Sequence, residues 1–85
     1  MIPDTLRSKA VSELMDEISD SMASEGHDLP EEMILAAAEK HLNDMVKHST
    51  AALEAGQQPP IIKEALMVQG ISGNIADELI AALTN

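Results

Sequence analysis

Residues 27–56 read HDLPEEMILAAAEKHLNDMVKHSTAALEAG, and this stretch decides the fold. Start and stop signals stand at both ends. Asp28 is of a type that caps helices, and Pro30 suits a first turn, where a missing N–H is no loss. Glu31 and Glu32 then meet the positive end of the helix dipole. At 100° per residue, Ile34, Leu35, Ala38, Leu42, Met45, Val46, Ala52 and Leu53 fall on one broad stripe, with Lys40, Asn43, Asp44, Lys47 and Glu54 opposite. Gly56 fits the left-handed position after a helix end, and Gln57-Gln58-Pro59-Pro60 cannot continue the helix. The pattern predicts one helix over 29–55, roughly 40 Å long at 1.5 Å per residue. A compact chain of this length is only about 30 Å across. The helix therefore overhangs its own domain, unless it breaks at the weak formers Ser49 and Thr50. A second chain covering the overhang is the expectation, giving a homodimer with its seam at Leu35, Leu42, Met45, Val46 and Leu53.

The flanking sequence supplies three more helices. The first spans 4–24, with Asp4 or Thr5 as cap and Glu25-Gly26 as its end. Its apolar stripe is Val11, Leu14, Met15, Ile18 and Met22, with Ala10 at the edge. The third spans 60–69 and ends at Gly70. It is apolar nearly all round, which predicts a place deep in the packing. The fourth spans 73–84 behind Ser72 or Asn74, with Asp77 and Glu78 in its first turn as dipole-matching acids and a stripe of Ile75, Ala76, Leu79, Ala82 and Leu83. No segment alternates apolar and polar residues over five positions, so no sheet is expected. The expected fold is all-α, a single domain of about four helices over 1–85 with a long central helix.

Composition narrows the function. The 85 residues include no Phe, Tyr or Trp, so the core rests on aliphatic side chains and Met. Small domains have marginal cores, and shared burial in a dimer offsets that shortage. The absence of cysteine excludes disulfides and thiolate chemistry. No apolar run approaches a membrane span and the N-terminus lacks a signal-peptide core, so the cytoplasm is the expected location. A net charge of −10 argues against direct contact with nucleic acid or anionic lipid, which need Lys and Arg. It favours a partner protein with a basic surface.

The sharpest surface feature lies on the first helix. Glu13, Asp16, Glu17 and Asp20 are spaced to form an acidic face, with like-charge pairs at i,i+3 and i,i+4. Those pairs oppose helix formation by about 1–2 kcal/mol in total at low salt. No Lys or Arg stands between Lys9 and Lys40. Such a face either binds cationic side chains of a partner or serves as a solvated surface. His41, Asp44 and His48 share one side of the second helix, but the two histidines are about 10 Å apart along its axis, too far to meet at one ion. No metal site or other cofactor is expected, although paired histidines at an interface would make association sensitive to pH. Met15, Met22, Met33, Met45 and Met67 fit either core filling or an adaptable binding surface.

Residues 64–79, EALMVQGISGNIADEL, resemble the helix-turn-helix signature of DNA-binding regulators. Ala65, the turn Gly70-Ile71-Ser72 and Ile75 stand roughly where that family has its small, turn and buried residues. The resemblance implies two packed helices joined by a tight turn. The glycine falls one place late relative to Ala65, Gly73 follows, and the second helix carries Asp77 and Glu78 with no Arg or Lys, which removes the phosphate and base contacts of the family. Nucleophile, phosphate-loop and zinc motifs are absent, and the carboxylates lie on a solvated helix. The expected function is that of a small acidic regulator, adaptor or inhibitor working by protein–protein association, not an enzyme. The alternative is an acidic nucleic-acid mimic of the kind mobile elements and phages direct against DNA- or RNA-binding host proteins.

Overall fold

In the computed structural model, which describes residues 2–84, four helices follow in order: α1 (Asp4–Ser24), α2 (Glu31–Glu54), α3 (Pro59–Val68) and α4 (Gly73–Thr84). No strand occurs among the described residues. The helix starts are set by proline rather than by polar caps. Pro3, Pro30 and Gln58 stand at the N-caps of α1, α2 and α3 with ψ of 147°, 145° and 140°, and none makes a side-chain cap hydrogen bond. Asp4, Thr5 and Asp28 therefore do not cap as expected. Steric conflict with the proline ring keeps the preceding residue out of the helical region. Leu29 precedes Pro30, so α2 cannot begin at 29. In α4 the first turn is Gly73, Asn74 and Ile75, which puts Asp77 and Glu78 beyond it.

The three internal helix ends share one device. His27, Gln57 and Ile71 donate backbone N–H groups to the carbonyls five residues back, Met22, Ala52 and Leu66, at 2.8, 3.0 and 3.2 Å. The preceding glycines, Gly26, Gly56 and Gly70, have φ of 78°, 90° and 109°. This is the Schellman arrangement, in which the left-handed residue turns the chain back over carbonyls that the helix leaves unpaired. At the third end both Ile71 and Leu66 are buried, so the cap is also a core contact.

α1 and α2 form an antiparallel hairpin. Asp16 and Ser19 border the same groove as Glu31 and Ile34, Val11 lies beside Leu35 and Glu39, and Arg7 Nη2 donates to Asn43 Oδ1 at 2.7 Å. α4 runs back along the other side of α1, with Ile75 near Ser12 and Ala82 near Leu6. An exposed ion pair, Lys63 Nζ to Asp77 Oδ2 at 3.1 Å, links α3 to α4. Exposed pairs of this kind contribute less than about 1 kcal/mol.

The core draws Leu6, Ala10, Val11 and Leu14 from α1, Ala38, Leu42 and Met45 from α2, and Ile62 and Leu66 from α3. Ile71 in the turn and Ile75, Ala76, Leu79 and Ile80 of α4 complete it. No residue from 15 to 37 belongs to this set. The molecule is consequently elongated, 41 × 23 × 20 Å. A helix of α2's length, about 36 Å at 1.5 Å per residue, lies within that long axis, so the roughly spherical envelope expected from chain length is wrong. α2 continues without interruption through Ser49 and Thr50, with Ser49 buried. The second half of α1 covers the start of α2, leaving Met15, Ile18, Met22, Leu29 and Ile34 half-buried between them. α3 also departs from expectation: it is not deep in the packing, because Ile61, Met67 and Val68 are exposed.

Candidate functional site

The second half of α1, the loop after it and the first residues of α2 form a hairpin end that extends past the core. Residues 13–32 carry eight acids, Glu13, Asp16, Glu17, Asp20, Glu25, Asp28, Glu31 and Glu32, and no Lys or Arg. This end therefore accounts for eight of the ten net negative charges, while the remaining seven acids stand with all five bases. Charge is divided along the sequence, with the uncompensated carboxylates gathered in residues 13–32 and nearly balanced charge elsewhere.

The four acids of the α1 face do not share one environment. Glu13 Oε1 accepts the backbone N–H of Ser72 at 3.0 Å. Ser72 precedes α4, and its carbonyl accepts Ala76 N–H at 2.8 Å. In a capping box, a Glu or Gln at the third helical position returns to the N-cap N–H. That position in α4 is Ile75, so α1 supplies the carboxylate from 59 residues away. Glu17 packs its Cβ and Cγ against Gly70. Glu13 and Glu17 thus seat the α3–α4 turn on α1, whereas Asp16 and Asp20 are exposed and free for a partner. Asp16 borders a shallow groove with Met15, Ser19, Leu29, Glu31 and Ile34, in which apolar side chains lie beside carboxylates.

Glu13→Ala is expected to lower stability by about 1 kcal/mol, as for a hydrogen bond lost to a charged but accessible acceptor. Glu13→Gln, which retains an acceptor oxygen, should lower it less. Urea denaturation gives the magnitude, and faster hydrogen exchange at Ser72 identifies the bond; unchanged exchange in Glu13→Ala refutes the capping role.

The acidic end also strains its own helix. α1 has no basic residue in its last turn, so Asp20 and Glu25 approach the negative end of the helix dipole uncompensated. Salt shortens the reach of these repulsions, from about 10 Å at 0.1 M to about 3 Å at 1 M. Raising NaCl from 0.02 to 0.5 M is expected to stabilise the domain by about 1 kcal/mol, a gain of several degrees in Tm for a domain of this size. Helix melting followed by circular dichroism measures it, and a Tm that falls with salt contradicts it.

The residues expected at a dimer seam are separated by the fold. Leu42 and Met45 are enclosed by the chain itself, Val46 and Leu53 are half-buried, and Leu35 is 40% exposed. The seam as expected is therefore not a continuous exposed stripe. His41 is half-buried, while Asp44 and His48 are exposed. No three His, Cys, Asp or Glu side chains converge on a metal-sized site among the described residues. The outer side of α4 presents Asn74, Asp77, Glu78 and Ala81 to solvent, with no base among them. No described helix is long and apolar enough to cross a membrane. Comparison with protein-family models, curated proteins and solved structures gives no match.

Proposed function

We propose that the chain is a small cytoplasmic regulator, adaptor or inhibitor that works by non-enzymatic association with a protein bearing a basic surface. One observation carries this reading: beside Glu13 and Glu17 at the α3–α4 turn, the hairpin end joins six further carboxylates, without Lys or Arg, to apolar side chains that the core leaves half-covered. A cationic surface gains there twice, from opposite charge and from relief of the repulsion inside α1. The apolar component favours general protein association over mimicry of nucleic acid, for which charge alone is enough.

Affinity capture from the native cell, with mass spectrometry of the captured proteins, identifies the partner. Asp16→Lys with Asp20→Lys then tests the surface with Glu13 and Glu17 themselves retained. Binding should fall at least tenfold, about 1.4 kcal/mol; undiminished binding removes the acidic face from the mechanism. A mimic would in addition compete with DNA or RNA for the captured protein.

Homodimer formation is a separate proposal, with its seam reduced to Leu35, Val46 and Leu53. Sedimentation across the micromolar range tests it, and a monomer throughout that range rejects it.

A further inference from the structure

The outer face of α3 gathers three of the exposed large apolar side chains among the described residues. Ile61, Met67 and Val68 are 57%, 49% and 81% exposed. Ile62 and Leu66 point into the core, and at 100° per residue the direction opposite their mean belongs to Glu64. Pro60 and Val68 flank Glu64, Ile61 and Met67 lie just beyond, and Ala65 marks one edge; all are exposed. Scattered exposed apolar residues are ordinary, but a continuous face on one helix marks a contact surface. Here that face surrounds a single carboxylate.

We infer that this face docks an amphipathic helix of a partner protein, one that presents aliphatic side chains around an Arg or Lys. The inference rests on the reading of the partner as basic and specifies which part of it binds. Charge selects the occupant. A second copy meeting this face across a two-fold axis sets Glu64 against Glu64 of the copy, between chains of net charge −10 each. A cation in that position meets Glu64 instead. Lys63, the other charged residue of α3, is engaged by Asp77 at 3.1 Å and does not neutralise Glu64. The surroundings extend the same preference. The last turn of α3 has no basic residue, which leaves the negative end of its dipole without a cation of its own. Ten residues of helix offer roughly 15 Å of contact, enough for anchors at i, i+3, i+4 and i+7 of a partner helix.

The test uses the full chain and two synthetic peptides of 18 residues, one with Leu and Lys at amphipathic helical spacing and the other a scrambled isomer. The amphipathic peptide should bind at least tenfold more tightly than the isomer and shift the amide resonances of residues 61–68. Ile61→Ser with Val68→Ser should reduce its affinity at least tenfold, and Glu64→Lys should do the same. These side chains are exposed, and unchanged circular dichroism verifies that the variants remain folded. Equal binding of both peptides, unaffected by the α3 variants, overturns the inference. If that binding is still lost in Asp16→Lys/Asp20→Lys, the acidic face alone attracts cations and the broader functional reading survives. Binding that needs Ile61 and Val68 but not Asp16 and Asp20 supports the α3 site and removes the acidic face. A dimer of the chain that Ile61→Ser/Val68→Ser dissociates overturns the inference in favour of a second copy.

Discussion

Leu42→Ala is expected to lower the free energy of unfolding by about 3–4 kcal/mol, the upper part of the range for truncating a buried leucine. Leu42 is completely buried on α2. Its neighbours are aliphatic, and no aromatic ring is present to swing into the vacated volume. Domains of this size have total stabilities of only about 5–10 kcal/mol, so the variant should be close to unfolding at 37 °C. Urea denaturation measures the loss, and its dependence on protein concentration distinguishes two roles. A core residue lowers the midpoint equally at all concentrations, whereas a dimer-seam residue makes the loss depend on concentration. Leu35→Ala, at the exposed end of the same apolar stripe, should cost less than about 1 kcal/mol. Equal losses for the two would contradict the division between core and hairpin end.

Gly70→Ala is expected to cost about 3 kcal/mol, the largest effect of any glycine in the chain. Two penalties combine. At φ of 109° an L side chain is strained by about 1–2 kcal/mol. A Cβ at Gly70 would also lie 3.0 Å from Glu17 Cγ and 3.2 Å from Glu17 Cβ, and crowding of this kind costs about 1–3 kcal/mol. The Cβ of Glu17 is fixed by the α1 backbone, so rotating the side chain relieves only part of the contact. Gly26→Ala and Gly56→Ala have open space around the new methyl group and should each cost about 1 kcal/mol from backbone strain alone. A Glu17→Ala background removes the Cγ contact but leaves the Cβ contact, so it should recover part of the Gly70→Ala loss. Additive losses in that double-mutant cycle would disprove contact between the two positions.

Local chemistry in the sequence accounts for the helix ends well and for the helix starts less well. Gly26, Gly56 and Gly70 are legible because a Schellman end is built from residues within six of one another. Asp4 and Asp28 mislead because Pro3 and Pro30 themselves take the N-cap positions, which leaves Asp4 inside α1 and Asp28 two places before the cap of α2. α3 is apolar on nearly every side, and periodicity cannot orient such a helix. Its inward direction is fixed by which neighbours receive Ile62 and Leu66. Leu6 and Ile80 join the core for the same reason, Leu6 where α1 meets α4 and Ile80 where α4 meets α3. The split of the acidic face was beyond local reading, because Glu13 and Ser72 are far apart in sequence. One clue was available: Ile75 occupies the position where a helix beginning after Ser72 would place its own capping Glu or Gln, so an acceptor had to come from elsewhere.

The hairpin end has a consequence for how the protein tolerates change. Because residues 19–37 contribute nothing fully buried and nothing packed against the core, separating the two helices there forfeits little of the energy that holds the rest together. Opening at this end is a local event, with a free energy well below that of global unfolding. Substitutions at the exposed Asp16, Asp20, Met33 or Leu35 should therefore leave the domain behind them folded. The two ends therefore differ in what they tolerate: one must conserve its volume, and the other is not held to it.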